Sequence, residues 1–106
     1  MTDFLGLMKQ AAELKSKMEA MQAELDRIEV EGSSGAGLVV VRLSGKGEMK
    51  GVTIDASLVK PQEKEIMEDL IVAAHTDARR KAESLLQEKM QNVAGGLPLP
   101  PGIKLF

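Results

Sequence analysis

Residues 43–55 read LSGKGEMKGVTID, with Gly45, Lys46, Gly47, Lys50 and Gly51 crowded between apolar positions. Such a stretch is either a phosphate-cradling loop of a nucleotide enzyme or a turn between two strands. Register decides. A Walker-type loop ending at Gly45-Lys46 would place its first glycine at Val40 and its magnesium-binding hydroxyl at Gly47, and both fail. The dinucleotide pattern matches at Gly45 and Gly47, but its third glycine comes one residue late, at Gly51. The residues after it are strand-like, so no helix N-terminus is offered to a pyrophosphate. The stretch is therefore a hairpin turn whose glycines supply positive φ. Lys46 and Lys50 remain candidates for a phosphate of a nucleic-acid backbone.

Working outward, LVVVRL (38–43) is dense in β-branched residues and predicts a buried central strand. Val52 and Ile54 alternate with Thr53 and Asp55 as a third strand. Ile28 and Val30 alternate with Glu29 and Glu31 as a first strand. GSSGAG (32–37) reads as the turn between the first two; it fails as a dinucleotide loop because position 40 is Val. Loops this short exclude parallel crossovers, so the three strands form an antiparallel meander.

The flanks are helical. From Phe4 to Ile28 two apolar series repeat by seven: Leu7, Leu14, Met21, Ile28 and Phe4, Ala11, Met18, Leu25. Good helix formers dominate, and Gly6 costs about 1 kcal/mol in the first turn. The seam packs either on this domain or on a partner helix. The second helix opens near Pro61, a residue suited to a first turn, and runs to about Asn92. Glu63 and Glu65 complement its dipole. Thirty residues span about 45 Å, more than one small domain covers, so the helix projects or meets a second subunit. Residues 1–94 form one domain. Residues 95–106, with the LPLPP run, form a Pro/Gly-rich tail, docked or disordered.

Composition removes several classes of function. The chain has 106 residues and no cysteine, hence no disulfide and no thiolate ligand. Apolar runs such as Leu38–Val41 are too short for a membrane span, and no secretory signal opens the chain. Only Phe4 and Phe106 are aromatic, which argues against a base-stacking surface. His75 is the single histidine, so a metal site would depend on carboxylates. Glu63, Glu65, Glu68 and Asp69 read as a solvated, dipole-complementing face. Ser33 and Ser34 have no sequence-local base. No nucleophile–base set emerges, so neither an enzyme nor a cofactor is expected.

A net charge of −2 argues against an indiscriminate nucleic-acid binder. The cations are nonetheless concentrated. Lys9, Lys15 and Lys17 lie on the first helix, and Arg79, Arg80 and Lys81 on the second. The basic run is either a solvated face with an Asp77–Lys81 pair or a phosphate-binding surface.

Across nearly its whole length the chain resembles the YbaB/EbfC family of bacterial nucleoid-associated proteins. The resemblance rests on LMKQAAELKSKMEAMQAEL, GSSGAGLV, VTID, EDLIVAAHTDARRKAESLLQEKM and GGLPLPPGIKLF. It implies an α+β fold: an α-β-β-β-α subunit with a three-stranded antiparallel sheet and two long helices, dimeric, with projecting helical arms. It also implies a small cytoplasmic protein of the nucleoid that binds duplex DNA and influences nucleoid organisation and gene expression. The arms would carry DNA contacts at Lys9, Lys15, Lys17, Arg79, Arg80 and Lys81. The alternative is a protein-interaction module beside replication or recombination proteins, using the Met-rich seam and the PLPP tail.

Overall fold

The computed structural model describes residues 4–95. Helix α1 (Phe4–Arg27) leads into strands β1 (Glu29–Ser34), β2 (Val39–Ser44) and β3 (Met49–Ile54). Two 3-10 turns, Ala56–Leu58 and Pro61–Glu63, then deliver helix α2 (Lys64–Gly95). The sheet order is β1-β2-β3, both pairs antiparallel, as the short loops required. The α-β-β-β-α subunit of the sequence reading is the observed one. The tail beyond Gly95, read as docked or disordered, lies outside the described residues.

Helix α2 covers one face of the sheet. Val39, Val41 and Leu43 of β2 point into it and meet Ala74 and Ala78, all fully buried. The alanines recur every four residues, so they form one stripe along the helix. Small side chains there let two backbones approach closely. Gly32 occupies the opposing position: a Cβ on it would collide with the backbone nitrogen of Ala78 and the carbonyl oxygen of Ala74. This corrects the boundary of the first turn. Gly32-Ser33-Ser34 continues β1, paired with Val41, Val40 and Val39, and only residues 35–38 turn. Gly32 serves the passage of a helix.

The segment 43–55 is a hairpin, as its register required, but β3 starts at Met49 and not at Val52. A bulge between Arg42 and Leu43 absorbs the register shift. Buried Ser44 organises the turn: its hydroxyl accepts from the backbone N–H of Lys46 and of Glu48, each at 3.2 Å. Gly45 docks the turn on the end of α1, donating its N–H to the carbonyls of Leu25 (2.9 Å) and Ile28 (3.0 Å). A Cβ there would stand 2.8 Å from the Leu25 oxygen. The bond to Leu25 satisfies an α1 carbonyl that lacks an intrahelical partner.

The helices are too long for this body. The described chain measures 73 × 26 × 16 Å with a radius of gyration of 19.8 Å, against about 13 Å for a compact domain of this size. Helix α1 touches the rest only through its last turns, where Met21 and Leu25 are buried.

Candidate nucleic-acid interface

The last turns of α1 lie along the second half of α2, running the opposite way. Glu24 pairs with Lys89, and Lys17 and Ala20 approach Asn92 and Val93. Residues 4–16 of α1 therefore project past the end of α2 by about 20 Å at 1.5 Å per residue. Between the helices and the β2–β3 hairpin runs an open groove of about 600 Å³. Its floor is Met21, Leu25, Ala82 and Met90, and its rim includes Lys46 and Arg79.

The six cations proposed from sequence do not form one patch. Lys9, Lys15 and Lys17 are all exposed on α1. Lys15 and Lys17 flank the apolar seam on its two sides, and Lys9 sits on the opposite face, as heptad geometry dictates. Arg79, Arg80 and Lys81 are consecutive, so they fan out at 100° intervals around α2. Arg79 faces the groove and stands 4.0 Å from Glu83, an exposed i, i+4 pair worth a few tenths of a kcal/mol. Arg80, exposed and without an ion pair among the described residues, points away from the sheet.

Lys81 has a different task. Its Nζ donates to the Glu31 carbonyl (2.8 Å) and pairs with Asp77 (3.3 Å). Asp77 also accepts the Ser33 N–H at 3.0 Å. The sequence-derived Asp77–Lys81 pair thus exists, and together the two side chains close the outer edge of β1. The Ser33 N–H, then Lys81, hold the Asp77 carboxyl below the ordinary aspartate range. Asp55 is lowered likewise by the Ser57 hydroxyl and N–H, which cap the first 3-10 turn.

The hairpin lysines are engaged by acids: Lys46 with Asp26 (3.1 Å) and Lys50 with Glu48 (3.5 Å). Sequence reasoning misses Lys89, because its partner Glu24 is 65 residues away. His75 is half-buried in α2. Among the described residues no group of three or more His, Asp or Glu is placed to hold a metal ion, and no helix is long and apolar enough to cross a membrane.

Charge is segregated along α2. Residues 64–77 carry Lys64 against Glu65, Glu68, Asp69 and Asp77; residues 78–95 carry Arg79, Arg80, Lys81 and Lys89 against Glu83 and Glu88. The modest net charge thus averages an acidic sheet-side half and a basic outer half.

A model of the YbaB/EbfC DNA-binding family matches residues 1–97. The chain is similar to a nucleoid-associated protein of Rhodopseudomonas palustris strain BisB5, 69% identical over 105 residues and 99% of each chain. It is likewise similar to a nucleoid-associated protein of Nitrobacter winogradskyi, 65% identical over 103 residues and 97% of each chain. Among solved structures, the uncharacterized protein HP0035 of Helicobacter pylori shares the fold, with a TM-score of 0.79 and 24% identity over 89% of this chain and 99% of that one.

Proposed function

This chain belongs to the YbaB/EbfC DNA-binding family, and from that premise we propose that it binds duplex DNA as a homodimer in the nucleoid. The observation that carries the reading is the basic outer half of the helix pair. There Lys9, Lys15, Lys17 and Arg80 are exposed and form no ion pair among the described residues. Such cations position a protein on phosphates and carry little sequence information. Binding of this kind organises DNA and thereby affects expression, with the protein acting in the cytoplasm on the chromosome.

The homodimer is supported by the contrast between the sheet edges. The β1 edge is closed by Asp77 and Lys81. The β3 edge carries no strand among the described residues, and Met49 and Val52 are exposed beside it. An open edge with apolar flanks invites a second copy, and a two-fold axis would join the two β3 strands. Lysine placed at Val52 should return the protein to monomer mass in sedimentation.

A salt titration of duplex binding tests the DNA reading. Affinity should fall steeply with ionic strength. Changing Lys15, Lys17, Arg79 and Arg80 together to Ala should lower the salt slope by about 1 for each phosphate no longer neutralised, with helix content unchanged. Lys81 is left intact, because its loss would open the β1 edge. Unaltered affinity and slope would remove these side chains from the interface. The second reading, an interaction module beside replication or recombination proteins, is favoured by the exposed Phe4, Leu5, Leu7 and Met8.

A further inference from the structure

The apolar seam of α1 is covered at one end only. Met21 and Leu25 are buried, whereas Phe4 is 67% and Leu7 57% exposed. Phe4, Leu7, Ala11 and Leu14 continue the same heptad frame over about three turns, beyond the reach of α2 and of every other described element.

We infer that this strip docks on the same strip of a second copy, antiparallel, joining the outer ends of two arms. A narrow stripe at heptad spacing fits a helix and not a sheet or a flat surface. The strip is self-complementary in the antiparallel sense. With Phe4 opposite Leu14, Leu7 falls opposite Ala11, and the two-fold repeats both pairs. The small Ala11 accepts the large Leu7, and no residue of the strip is left over. Orientation is set by the rest of the molecule. A parallel pair would crowd two sheets and two α2 helices at one end and set Lys15 of each helix on the same flank as Lys17 of the other. The antiparallel pair puts the bodies at opposite ends and separates those lysines. The contact is remote from the β3 edge, so a sheet-edge dimer would offer two such strips and could be linked into chains.

Size sets the strength. Three turns of helix bury far less than the roughly 1,600 Å² of a standard interface, so the contact is weak and concentration-dependent in free solution. Proteins held side by side on one duplex meet at a high effective concentration, which strengthens such a contact without new interactions. The inference does not rest on the DNA reading and is testable without DNA.

The absence of cysteine allows a direct test. Single-cysteine chains Leu7→Cys and Ala11→Cys, mixed and oxidised, should form the mixed disulfide at least about tenfold faster than Lys9→Cys, on the opposite face, couples to itself; proximity is what disulfide geometry demands. Leu7→Cys should couple to Ala11→Cys in preference to itself. In parallel, Leu7→Glu with Leu14→Glu should weaken the association step above the basic unit about tenfold or more in sedimentation, with circular dichroism unchanged. Preferred coupling of Leu7→Cys to itself would overturn the antiparallel contact. Coupling no faster than the Lys9→Cys control would overturn the contact altogether. Coupling that emerges only after removal of residues 96–106 would put that segment on the strip in place of a second copy, and would equally overturn it.

Discussion

Met21 and Leu25 at one end of α1, and Phe4 and Leu7 at the other, belong to one heptad repeat and have opposite surroundings. The first pair is 5% and 2% exposed, the second 67% and 57%. The repeat dictates that a stripe exists. Which part of it is covered depends on where α2 ends and where the β2–β3 hairpin docks. The sheet-side body is built on backbone-to-backbone approach, at Gly32 against Ala78 and at Gly45 against Leu25. The outer arm makes no such approach, and its side chains answer to solvent and to partners. Substitutions should therefore be costly for folding in the body and nearly neutral for folding in the arm.

Gly32→Ala should break the body outright. The new methyl group meets helix backbone, which cannot step aside as a side chain can, so the cost should reach about 3 kcal/mol or more. Chemical denaturation with circular dichroism would read it. A variant as stable as the parent would mean that α2 can lift from β1 freely, and the contrast between body and arm would fail. Next in size is a matched pair on α1. Leu25→Ala should cost about 2–3 kcal/mol, the ordinary loss for a buried leucine. Leu7→Ala should stay within about 0.5 kcal/mol. Equal losses would show that the outer strip is already covered within a single chain.

The same contrast explains what can be read from sequence. Strand number, antiparallel order and helix phase come from local periodicity, and all are legible. The failure of the phosphate-loop patterns is legible too, because a motif depends on spacing along the chain. Gly32 reads as part of a turn because glycine next to Ser-Ser looks like punctuation. Its true constraint comes from Ala74 and Ala78, more than 40 residues away. The basic run 79–81 reads as one patch for a related reason. Consecutive residues on a helix diverge by 100°, and the strand edge that claims Lys81 is invisible until the sheet is assembled. No local signal reveals Glu24 as the partner of Lys89.

Acid should sharpen the contrast from the side of the β1 edge. The Asp77 carboxyl is held below its ordinary value by the Ser33 N–H and then Lys81. The folded state therefore prefers the carboxylate. Its contribution is fully present above the ordinary aspartate value of about 3.9 and is lost as pH falls through the lowered one. Asp77→Asn should flatten the acid limb of the stability profile, leaving the share due to Asp55, which is lowered in the same direction. Because Asp55 is exposed and Asp77 is only half-buried, the change should be modest. An acid limb identical in parent and variant would mean that the strand edge is held without this carboxylate.

The smallest effect should come from the turn between β1 and β2, which belongs to the body but lacks its tight approach. Ala36 adopts φ +56°, between Gly35 at +61° and Gly37 at +92°. The left-handed conformation costs a residue with a Cβ roughly 1–2 kcal/mol. Glycine removes that strain but returns part of the gain through the entropy of the unfolded chain. Ala36→Gly should thus stabilise by about 0.5 kcal/mol, once both effects are counted, a rise of roughly 2–4 °C in Tm for a domain of this size. Ala36 is exposed, so little packing opposes the change. A fall in Tm would show that its methyl group makes a contact worth more than the strain, and the turn would then join Gly32 and Gly45 among the positions fixed by close approach.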